Sequence, residues 1–90
     1  MKKMYIATVE WEDYGNEHYN NLCVIEKLDD ETIENIISYI HDWGINEFGC
    51  VLDDETSNEL EKEIKGKTPP FYVEFGERST LKIFDIDVIV

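Results

Sequence analysis

Apolar and polar residues alternate at both ends of the chain and recur at helical spacing between them. Met4 to Trp11 (MYIATVEW) sets Tyr5, Ala7, Val9 and Trp11 on one side and Ile6, Thr8 and Glu10 on the other. Leu22 to Leu28 (LCVIEKL) reads the same way. A period of two over β-branched and aromatic residues marks half-buried strands. The polar stretch EDYGNEHYNN lies between them, and Gly15-Asn16 at its centre suits a two-residue turn of type I′ or II′. Pairing about that turn predicts Val9 opposite Leu22 and Ala7 opposite Val24, with Trp11 on the same core-facing side. Thr8, Glu10 and Glu12 then show to solvent.

Ile33, Ile36, Ile37 and Ile40 follow the i, i+3, i+4, i+7 rule, with Trp43 a turn further on, and predict a first helix. Asp29 is placed to cap it, Asp30 and Glu31 suit the positive end of its dipole, and Leu28 and Ile33 are spaced as a hydrophobic staple. Gly44 is expected to close it. Leu28-Asp29-Asp30-Glu31-Thr32 recurs letter for letter as Leu52-Asp53-Asp54-Glu55-Thr56, one helix-start device used twice. A second helix is therefore expected from about Asp54 to Lys65, closed by Gly66, with a thin apolar stripe of Leu60 and Ile64. Phe48 to Leu52 is expected as a short strand between the helices.

After Lys67-Thr68-Pro69-Pro70 the alternation returns: Phe71 to Phe75, a turn at Gly76-Glu77-Arg78-Ser79, then Thr80 to Val90. Phe84, Ile86, Val88 and Val90 share one face of that last strand, and Leu81, Ile83, Asp85, Asp87 and Ile89 the other. The sum is ββαβαββ, an α+β (mixed α/β) fold with a small, mostly antiparallel sheet and two helices on one face. No linker or low-complexity segment interrupts residues 1–90, which read as one domain.

Charge changes this picture most. Against 21 Asp and Glu stand eight Lys and Arg, a formal charge of −13 on 90 residues and a pI near 4.3. Direct binding to nucleic acid or to an anionic membrane face needs clustered Lys and Arg, so neither is expected. No run approaches the ~20 apolar residues of a membrane span. The apolar stretch after Lys2 and Lys3 is cut short by Glu10, so export is not expected and the compartment reads as cytoplasmic. The only cysteines, Cys23 and Cys50, read as small buried thiols rather than a bridge or a metal pair.

The candidate chemistry is thin, with no catalytic residue, cofactor or metal site expected. Asp85 and Asp87, with Glu74 across the hairpin, form only a D-x-D fragment of a cation site and read more simply as charges guarding a sheet from other chains. Asp53 to Glu59 lacks the glycine and glutamate positions of a calcium loop. His18 falls at the hairpin tip. His41 falls in the last turn expected of helix one, where its cation would favour the negative dipole end. Neither has a nucleophile in a recognisable pattern.

What remains is the distribution of charge. Between Lys27 and Lys62 there is no Lys or Arg, while Asp29, Asp30, Glu31, Glu34, Asp53, Asp54, Glu55 and Glu59 fall in that interval. Carboxylates one helical turn apart lie ~5–6 Å from each other and repel, a spacing of the order of successive phosphates on a nucleic-acid strand. These eight residues are the candidate partner-binding acids, with Trp11, Tyr14 and Tyr19 at the hairpin tip as aromatic anchors. The expected function is non-enzymatic: a stoichiometric inhibitor of anti-defence (anti-CRISPR) type, as phages deploy, blocking a basic nucleic-acid-binding enzyme by nucleic-acid mimicry. Two alternatives stand beside it. One is an immunity or antitoxin protein neutralising a cognate toxin nuclease. The other is a structural homo-oligomer, a dimer joined through an exposed edge at Thr80 to Val90.

Overall fold

The computed structural model describes residues 3–48, 52–76 and 78–86. Strand β1 (Met4–Asp13) and strand β2 (Asn16–Ile25) form a hairpin, followed by helix α1 (Asp30–Phe48) and helix α2 (Asp54–Ile64), then strands β3 (Phe71–Phe75) and β4 (Ser79–Ile86). All pairings are antiparallel. The sheet order is β2-β1-β4-β3, with both helices inserted between β2 and β3 in the chain. This is the α+β architecture that the hydrophobic pattern predicts.

Each helix start follows from its repeated pentapeptide. The Asp29 carboxylate accepts the Thr32 backbone N–H at 2.9 Å, and that of Asp53 accepts the Thr56 N–H at 2.7 Å. Leu28 and Ile33, spaced as a staple, both belong to the core cluster. Beneath the helices, Ala7, Val9, Leu81 and Ile83 of the two central strands are fully buried. Ile36, Leu60 and Ile64 close over them from above, also without solvent contact beyond 1%. Gly66, at φ +87°, lets the chain leave α2 in a left-handed conformation that a Cβ would strain.

Four expectations are corrected. Helix α1 runs through Gly44 to Phe48. One glycine in a helix costs about 1 kcal/mol, too little to end a helix whose preceding turns are anchored by Ile36 and Ile40. His41 is accordingly mid-helix, with its Nδ1 3.7 Å from Asp42, and has no terminal dipole to complement. The hairpin turn is Tyr14-Gly15, both at positive φ (47° and 83°), one residue earlier than expected. A bulge between Ala7 and Thr8 then shifts the register, so that Ala7 faces Cys23 and Val9 faces Asn20. Both Leu22 and Cys23 pack toward the core as a result. Thr8 is buried, its hydroxyl donating to the Asn21 side-chain carbonyl at 2.9 Å. Finally, β4 is flanked by β1 and β3, so the edge expected at Thr80 is occupied and the sheet edges are β2 and β3. The strand expected at Phe48–Leu52 lies mostly outside the described residues; of its ends, Phe48 closes α1 and Leu52 lies in no strand. Val88, Val90, Asp87 and Ile89 lie outside them too.

Candidate partner-binding surface

The two acidic segments are helix starts, and the helices run antiparallel. Lys65, just past the end of α2, pairs with Glu61 at 3.1 Å. Glu61 holds its ammonium above the ordinary lysine range, with further support from Asp30 and Glu34 at the beginning of α1. The end of α2 therefore lies beside the start of α1. The start of α2 lies 11 residues away, or ~16 Å at 1.5 Å per residue. Asp30, Glu31 and Glu34 stand at one end of the helix layer and Asp54, Glu55 and Glu59 toward the other, all exposed. They do not merge into one unbroken ladder, because Lys65 enters the field of the first group.

Asp29 and Asp53 have a structural use as well. Hydrogen bonds from Thr32 and Thr56 hold their carboxyls below the usual carboxylate range. Both remain ionised at neutral pH; Asp53 adds to the acidic field from within its cap, whereas Asp29 is paired with Lys27 at 3.5 Å.

The tip aromatics divide among three surfaces. Trp11 sits half-buried on the helix-facing side of the sheet, opposite His18, with the rings 5.8 Å apart. Tyr14, in the turn, is 92% exposed. Tyr19 pairs with Glu10 and lies on the other face, 75% exposed. It does not cover the core.

That other face, free of helices, is the one expected to show Thr8, Glu10 and Glu12 to solvent; the apolar row it also carries is what reading the sequence missed. Beyond the Met4–Ile86 pair at its end, the strand registers set its residues in four rows across the sheet. Val24, Ile6 and Phe84 form the first, and Asn21, Thr8, Lys82 and Tyr72 the second. Tyr19, Glu10, Thr80 and Glu74 form the third, and Glu17 and Glu12 the fourth. Val24, Tyr72 and Phe84 expose 54%, 67% and 44% of their surface. Lys82 pairs with Glu10 at 2.8 Å. Glu12, Glu17 and Glu74 form no ion pair among the described residues. A shallow cavity of about 540 Å³ lies over this face, lined by Glu10, Phe71, Tyr72, Glu74, Lys82 and Phe84. The signal was present in the alternation of β3 and β4, but the bulge that turns Val24 onto this face leaves no mark in the sequence.

The cation-site fragment does not assemble. Glu74 is on this open face, whereas Asp85 shares the helix-facing side with Leu81 and Ile83 and lies 3.6 Å from Lys3. No group of three His, Cys, Asp or Glu side chains among the described residues is placed to hold a metal ion. Cys23 is a free, half-buried thiol whose burial pushes its pKa up, away from nucleophilic reactivity. Among the described residues, no helix is long and apolar enough to cross a membrane. In comparisons with known proteins, no family model, curated protein or solved structure matches the chain.

Proposed function

We propose that this chain is a non-enzymatic interaction protein that binds and blocks a basic, nucleic-acid-handling protein, offering carboxylates where that partner receives phosphates. The observation that carries the reading is α1. Its 19 residues include Asp30, Glu31, Glu34, Asp42 and Glu47 and no Lys or Arg. With Asp54, Glu55 and Glu59 exposed on α2, the helix layer is an anionic surface on a chain already at −13. Such a field accelerates encounter with a cationic partner and is screened by salt. Retaining like charges at i, i+4, Asp30 with Glu34 and Glu55 with Glu59, costs helix stability. A cost of that kind is consistent with a use for the charge beyond folding. Replacing Asp30, Glu34, Glu55 and Glu59 by Lys is expected to weaken partner binding, most strongly at low salt where the field steers encounter, while leaving the far-UV circular dichroism intact. Unchanged affinity would end the proposal.

A further inference from the structure

We infer that the partner seats on the open face of the sheet, through Val24, Tyr72 and Phe84 at one end and Glu12, Glu17 and Glu74 toward the other, while the helix acids steer it from a distance. This deepens the reading above and rests on it.

The apolar row at Ile6 and the carboxylate row at Glu12 are separated by six residues of β1, or ~20 Å along an extended strand. Glu74 lies between them, four residues along from the apolar row or ~14 Å. The face therefore carries an apolar anchor point and, at fixed spacing from it, three carboxylates that form no ion pair among the described residues. Glu12 and Glu17 stand directly opposite each other, a like-charged pair that is unfavourable on its own; Arg78 lines the same depression without forming an ion pair with either among the described residues. The complementary occupant is a basic protein whose contact element combines an apolar or aromatic side chain with Lys or Arg some 14–20 Å away, as the strand spacing sets.

Charge also argues against a second copy of this chain as the occupant. Four strands at ~4.8 Å and about eight residues at ~3.4 Å give a face of roughly 500 Å², short of the ~800 Å² per partner of a standard interface. A dimer would have to extend into the carboxylate rim, anion against anion, between two chains at −13 each. A cationic partner gains from the same rim.

The test is site-specific photo-crosslinking with benzoylphenylalanine at Tyr72, on the open face, or at Asn58, on α2. Both side chains are exposed, so the replacements leave the core untouched, which circular dichroism verifies. Each protein is irradiated in nuclease-treated lysate beside a wild-type affinity bait. The expected result is an adduct at position 72 with one basic protein also held by the wild-type bait, lost at high salt and absent at position 58. An adduct at position 58 alone, or capture by the wild-type bait without an adduct at 72, overturns sheet docking and leaves the proposed function standing. An adduct of the chain with itself at position 72 overturns it in favour of a second copy. If the wild-type bait holds no basic protein, both readings fall.

Discussion

Asp29 and Asp53 each join a helix cap to the acidic surface, and their pH behaviour separates the two roles. Their folded pKa values lie below the usual carboxylate value, so the stability they contribute is present above pH ~4 and is lost as pH falls through the folded values. Asp29→Asn and Asp53→Asn keep the capping oxygen but remove the titration. Urea midpoints against pH should therefore fall less steeply on the acid side in these variants than in the wild type; parallel curves would show that the caps do not titrate. The opposed glutamates make a second prediction. Glu17→Lys converts a like-charged cross-strand pair into an attractive one. It should stabilise the hairpin by about 0.2–1 kcal/mol in urea denaturation while weakening partner binding. A stabilised variant with undiminished binding would count against sheet docking.

At the scale of the elements, two glycines with opposite roles test the helix boundaries. Gly44 is inside α1, so Gly44→Ala should stabilise by roughly 0.5–1 kcal/mol. Gly66 has φ +87°, so Gly66→Ala should destabilise by about 1–2 kcal/mol. Thermal or urea unfolding reads both, and the same sign at the two positions would contradict the assignment. Both helix starts were legible because capping is local: an aspartate carboxylate and a threonine N–H three positions on suffice. The end of α1 was not legible, because it depends on Ile36 and Ile40 being seated on the sheet rather than on Gly44 itself. The hairpin strands were legible from their alternation. Their register was not, since the bulge at Leu22 is decided by how β2 meets both β1 and α1. That single extra residue moves Val24, expected opposite Ala7 in the core, onto the open face.

For the whole molecule, the governing quantity is −13 on 90 residues. Self-repulsion of that size opposes the compact state and is screened within a Debye length of ~10 Å at 0.1 M salt. The melting temperature should therefore rise with added sodium chloride at neutral pH; a melting temperature that falls or stays constant would mean that paired charges outweigh the repulsion. The acidic candidates were legible as residues, but their grouping was not. The antiparallel helices place Asp30 and Asp54 at opposite ends of one layer, and only the registers reveal the apolar row on the open face behind them. The most direct test is capture on the tagged protein from nuclease-treated lysate, eluted with a salt gradient and identified by mass spectrometry. The expected result is one basic, nucleic-acid-binding protein released at moderate salt, and recovered in lower yield and released at lower salt from the bait in which Asp30, Glu34, Glu55 and Glu59 are Lys. Recovery of the bait alone, or of the same protein in equal yield and at the same salt on both baits, would contradict the proposed function.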